Sequence, residues 1–217
     1  MSEADDRYDI AIFYNELIPE KVEAEFQNTV RHPKLRFVSK ATPDRGPYAG
    51  IEWLLATGLI LWIGKAYFNG FLSEAGKEHY HFLKKGIHNV WAKLVGPEKI
   101  VSIRVVTPSN APKKVTGHQY SAAFSVIFPI GEHTKLKFLF SADTDETHIV
   151  TYVDRLTALI QELSTDSDYR VHILEKCKKC IIADYLIMAY DSDSNELVVL
   201  NPLTNKQEKF IGLEDQT

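Results

Sequence analysis

The chain has 217 residues and a mass of 24.7 kDa, enough for one large domain or two small ones around a sizeable core. Hydrophobic residues make up 45% and charged residues 25%, the balance of a folded globular protein, which argues against a largely disordered chain. A net charge of −4, with 25 Lys and Arg scattered along the chain, leaves no basic footprint for gripping a phosphate backbone, so nucleic acid is not expected as a partner.

In chain order, the acidic start "MSEADDRYD" is the reverse of a secretory signal, which is basic and then apolar, so the cytoplasm is the expected location. "YDIAIFY", residues 8 to 14, is β-branched and aromatic and predicts a first strand. Pro19 then opens a helix in which Ile18, Val22, Phe26 and Val30 recur every four residues as one apolar stripe, ending near Pro33. "LRFVS", residues 35 to 39, predicts a second strand. The loop "ATPDRGPYAG" follows it, where Pro43, Gly46, Pro47 and Gly50 exclude regular structure.

"IEWLLATGLILWIG", residues 51 to 64, is the most apolar stretch. A spanning helix needs ~20 mostly apolar residues. Only twelve uncharged residues separate Glu52 from Lys65. Extension to Leu72 places Lys65 and Asn69 inside, and a central lysine costs about 2.5 to 3.5 kcal/mol against roughly 0.3 to 0.6 gained per Leu, Ile or Phe. Insertion of residues 50 to 72 in a membrane is therefore disfavoured though near balance. Gly58 and Gly64 bound the run "LILWI", which fits a strand covered on both faces, preceded by a short helix over about 49 to 57. A single helix through to Phe68 is the competing reading. Strand, helix, strand, loop, helix, strand is the pattern of a parallel sheet with right-handed crossovers.

From Ser73 to Val95 the chain reads as helical, with Leu72, Phe82, Leu83, Ile87, Val90, Trp91 and Leu94 making a broad apolar side that Gly76 and Gly86 weaken. "GPEK", residues 96 to 99, marks a boundary. Beyond it, "IVSIRVV", "AAFSVIF" and "KLKFLFS" are strand-like, the last two joined by the hairpin connection "PIGEHT". Residues 145 to 163 predict the clearest helix, since Ile149, Val153, Leu156, Ile160 and Leu163 keep 3.6-type spacing. "YLIMAY" and "ELVVL" flank the turn "DSDSN" as a closing hairpin.

Several motifs fail on their own mechanics. In "GLILWIGKA" five residues separate Gly58 from Gly64, one more than a phosphate loop allows, and Ala66 stands where a magnesium-binding hydroxyl is required. "DSDSNE" has Glu196 at the sixth position of a calcium loop, where glycine is needed, and Pro202 at the twelfth, where a bidentate glutamate is needed; it predicts a hairpin turn. Cys177 and Cys180 are half of a zinc site at most, even with His172 added, and the apolar strand after Cys180 is not the strand-to-helix turn of a redox motif. They read as two ordinary reduced thiols. Glu74, Glu78, His81, Lys85 and His88 share one helix face, and a solvated polar face is the simplest account of them. His79 and His81 point to different sides, so no metal site is expected.

The order "YDIAIFY", helix, "LRFVS", "PDRGP" loop, short helix, "LILWIGKAYF" and "FLSEAGKEH" resembles the TIR domain of immune signalling and of bacterial NAD-cleaving effectors, over residues 8 to about 80. The resemblance implies a self-association loop at Asp44 to Pro47, a strand-end tyrosine at Tyr67 and a catalytic carboxylate at Glu74 or Glu78, with NAD as substrate; Phe71-Leu72 stands where members carry Trp-Cys.

The expectation is an α/β N-terminal half (residues 1–96, parallel sheet with flanking helices) packed with an α+β C-terminal half (residues 97–217, antiparallel strands plus one long helix). Since no site passes its chemical test, the leading functional expectation is an interaction or regulatory protein without catalysis or cofactor, binding a protein partner or itself. The alternatives are a TIR-like effector acting by self-association or NAD cleavage, and a membrane-acting protein.

Overall fold

The computed structural model describes residues 8–42, 58–72, 77–101, 120–141, 144–201 and 206–209. Its centre is an eight-stranded mixed sheet in the order β2-β1-β3-β4-β5-β6-β7-β8. The strands are β1 (Ile10–Asn15), β2 (Phe37–Thr42), β3 (Leu59–Ile63), β4 (Tyr120–Pro129), β5 (Lys135–Ser141), β6 (Tyr185–Asp191), β7 (Glu196–Asn201) and β8 (Lys206–Lys209). The helices are α1 (Glu20–Thr29), α2 (Lys77–Leu94), α3 (Glu146–Thr165) and α4 (Ser167–Lys176), with a π turn at Tyr67–Phe71 and a 3₁₀ turn at Lys178–Cys180. The fold is α/β.

The two faces of the sheet are set by strand periodicity. Ile12, Leu61, Val126, Phe138, Met188 and Val199 are register partners along one row, and they share a single core with Val22 and Phe26 of α1, Ile87 of α2, Leu156 of α3 and Ile173 of α4. All four helices therefore cover the same face. The neighbouring row of Ala11, Trp62, Ile127, Lys137, Ile187 and Leu200 belongs to the other face.

Ile18, Val22, Phe26 and Val30 are all buried, so the four-residue stripe defines the inner side of α1. Leu59–Ile63 is a strand hydrogen-bonded to β1 and β4, and among the described residues no helix is long and apolar enough to cross a membrane. β4 with β5 and β6 with β7 pair antiparallel, as the hairpin connections required. "DSDSN" is the turn of the second hairpin, with Asn195 at φ 58° and its side-chain oxygen accepting from the Tyr190 hydroxyl. Asp145 caps α3 by accepting from the His148 N–H at 2.8 Å. Asp166 ends that helix and caps α4 through the Tyr169 N–H.

Several expectations are corrected. β3 runs antiparallel to β1, so only β1 and β2 are parallel in the N-terminal half; a five-residue apolar strand carries no information about its direction. Phe82 is 41% exposed and does not join the apolar side of α2. The second strand begins at Phe37 and continues through Ala41 and Thr42, the first two residues of the expected loop. The expected halves on either side of "GPEK" meet in the sheet, where β3 pairs in parallel with β4. The loop at Asp44 to Pro47, the short helix over 49 to 57 and most of "IVSIRVV" lie outside the described residues.

The three parallel pairs cannot share one crossover hand. Relative to β1 and β2, the pair β3 and β4 is reversed and steps in the opposite direction, which preserves the hand. The pair β5 and β6 regains the direction of β1 but steps away from β2, which inverts it. With every described helix on one face, at least one connection departs from the strong right-handed preference of such units.

Two glycines set close approaches. A Cβ on Gly64 would collide with the Tyr8 carbonyl oxygen, where the end of β3 passes the start of β1. A Cβ on Gly86 would stand 2.8 Å from the Phe26 ring, so the glycine that weakens α2 as a helix is what lets α1 pack on it.

Candidate functional site

Tyr67 occupies the first position of the π turn, one tight turn beyond β3. The Gly64 carbonyl closes that turn by accepting from the Tyr67 N–H at 3.1 Å, while its own N–H donates to the Asp9 carbonyl at 2.9 Å. The Tyr67 side chain is fully buried and its hydroxyl lies 3.0 Å from Nδ1 of His79 on α2. On the far side of the ring, His79 Nε2 is 2.8 Å from the carbonyl of Val30, the residue that ends α1.

These contacts fix the tautomer. A carbonyl can only accept, so Nε2 carries the proton, which leaves Nδ1 as a lone pair that accepts from the Tyr67 hydroxyl. The Val30 carbonyl is one of the groups a helix end leaves without an intrahelical donor, and His79 supplies one. Phe71 packs edge-on to the His79 ring at 4.6 Å, and His32 sits 5.9 Å from it. Burial is the main cause that lowers the His79 pKa; the Val30 bond opposes it and His32 adds to it. Burial also raises the Tyr67 hydroxyl well above its ordinary value, with Tyr80 adding a smaller push. Both groups therefore stay neutral, with their hydrogen-bonding capacity directed at each other and at the backbone. Chemically the pair is a fixed joint between α1, the π turn and α2.

Glu78 precedes His79 in α2 and lies on the exposed side of the helix, since adjacent helical positions differ by about 100°. Glu74 lies outside the described residues. His81 is exposed where His79 is buried, so the two do face different sides. Among the described residues no group of three or more His, Cys, Asp or Glu is placed to hold a metal ion. The structure thus joins Tyr67 to His79, which the sequence weighs only as a metal ligand beside His81. The signal that could have found it was His79 itself, two positions from exposed His81 and on the apolar side of the helix.

A second buried group had no sequence signal at all. "KLKFLF" is strand-like, and Lys137 within it is 0% exposed. It sits on the sheet face away from the helices, between Ile127 and Ile187 on the adjoining strands. Burial pushes its ammonium down to a pKa of about 7, because a charge in an apolar interior loses its hydration.

Comparison of the chain with protein-family models, with curated proteins and with solved structures finds no match.

Proposed function

We propose that this chain is an interaction or regulatory protein of the cytoplasm that binds a protein partner or a second copy of itself and carries no catalysis of its own. The observation that supports this reading is the commitment of the Tyr67 hydroxyl to His79, and of both His79 ring nitrogens to Tyr67 and Val30. A tyrosine that orients a substrate needs its hydroxyl turned toward the substrate, and here it is turned into the core. The effector reading draws on one observation, the placement of Tyr67 directly beyond β3. In that case the Glu74 carboxylate would orient the ribose of NAD, and the fold would act as an enzyme.

One experiment separates the two. Purified protein at high concentration is incubated with NAD and free nicotinamide is followed, with Glu74→Ala and Tyr67→Phe alongside. The interaction reading expects no release above the buffer blank. Release abolished by Glu74→Ala would replace that reading with the effector. Mass measurement in solution over a concentration series then tests self-association, with growth beyond 24.7 kDa as the expected outcome for a self-associating chain.

A further inference from the structure

Cys177 and Cys180 are the two cysteines of the chain, and the fold makes them a pair. The Cys177 N–H closes α4 by donating to the Ile173 carbonyl at 3.0 Å, and the Cys180 N–H donates back to the Cys177 carbonyl at 2.8 Å. Lys178–Cys180 is therefore a single 3₁₀ turn capped by Cys177. In a 3₁₀ turn the side chains three apart eclipse, and a rise of about 2.0 Å per residue separates them by roughly 6 Å along the axis. That separation falls within the ~4.4 to 6.8 Å Cα spacing a disulfide bridges without moving the backbone.

Burial gives the same answer by a separate route. Cys177 and Cys180 are 8% and 4% exposed and belong to one apolar cluster, whereas Lys178 and Lys179 between them are exposed. The turn sends two thiols inward on the same side and two ammonium groups outward. Neither a structural zinc site nor a strand-to-helix redox turn is needed for that arrangement to have chemistry.

We propose that Cys177 and Cys180 form a reversible dithiol–disulfide site, oxidised by an acidic low-molecular-weight disulfide such as glutathione disulfide. The exposed Lys178 and Lys179 make the outer side of the same turn positive, which raises the local concentration of an anionic oxidant. Cys177, the less covered of the two, attacks first. Its thiolate bonds to one sulfur of the oxidant, the oxidant's S–S bond breaks, and one thiol leaves carrying the proton that Cys177 lost. The Cys180 thiolate, held beside it, then attacks the Cys177 sulfur, and the second thiol leaves with the Cys180 proton. The two cysteines are oxidised by two electrons and the oxidant is reduced to two thiols. The new bond staples the turn that links α4 to β6.

The test treats the full chain with glutathione disulfide in native buffer and in urea, quenches with acid, alkylates the remaining thiols and reads the intact mass. In native buffer the product is expected to lack two hydrogens, to carry neither glutathione nor alkyl group, and to return to the dithiol on reduction. Cys177→Ser and Cys180→Ser should each retain one glutathione instead. The closure constant should be at least about tenfold larger in the folded chain than in urea, since the folded turn already holds the thiols together. Closure only in urea, a stable mixed disulfide on the folded wild type, or equal constants in both solvents would each overturn the proposal.

Discussion

Arg36 holds the carboxylate of Asp9 from two directions, donating from its backbone N–H at 2.8 Å and from its guanidinium at 2.7 Å, while the Asp9 N–H donates back to the Arg36 carbonyl at 3.0 Å. The exchange locks the start of the edge strand β2 onto β1, and the Asp9 side chain is buried although Arg36 is half exposed. Asp9→Ala removes the acceptor from both donors and is expected to cost about 2 kcal/mol, at the charged end of the hydrogen-bond range. Asp9→Asn keeps one acceptor for the backbone N–H and should cost less. Urea midpoints of the two variants check the order; equal losses would mean that the backbone contact contributes nothing.

The joint at His79 predicts a dependence on acid. Its pKa is lowered from 6.5 on folding, chiefly by burial, so above about pH 6.5 the neutral ring contributes its full stability. As pH falls below 6.5 the unfolded chain takes up the proton first, and stability declines by up to about 1.4 kcal/mol per pH unit until the folded pKa is passed. His79→Leu should be less stable than wild type at neutral pH and should lose that part of the acid response. Tyr67→Phe, which removes one hydrogen bond, should cost about 1 kcal/mol. Denaturant titrations at pH 7.5 and 5.5 measure both; a variant whose acid response equals that of wild type would dissociate His79 from it.

Lys137 predicts the opposite end of the pH scale. Its pKa falls from 10.5 to about 7 on folding because of burial. Below pH 7 both states hold the proton, so this group adds no pH dependence there. Between 7 and 10.5 the folded amine is neutral while the unfolded one stays charged, so stability rises with pH by up to about 1.4 kcal/mol per unit. Lys137→Met keeps the side-chain volume and removes the charge. It should lack the rise. A variant that tracks wild type from pH 6 to 10 would refute the assignment.

Strand and helix positions were legible where periodicity and boundary residues agree. The glycines at 58 and 64 delimit β3, the four-residue stripe defines α1, and the spacing from Ile149 to Leu163 defines α3. Each pattern is local, because a helix face or a strand length is fixed by residues within a few positions of one another. The contact of Tyr67 was illegible, since its partner lies twelve residues on and its partner's partner forty-nine residues back.

The sequence by itself therefore determined the α/β class, most element positions and the antiparallel hairpins, all of which follow from short-range spacing and turn chemistry. Only the tertiary structure decided the direction of β3 against β1, the burial of Lys137, the capping of α1 by His79 and the burial of both cysteines. Those depend on which surfaces meet across the sheet and at the ends of helices, and such meetings are set by the summed burial of distant residues, which no local pattern encodes.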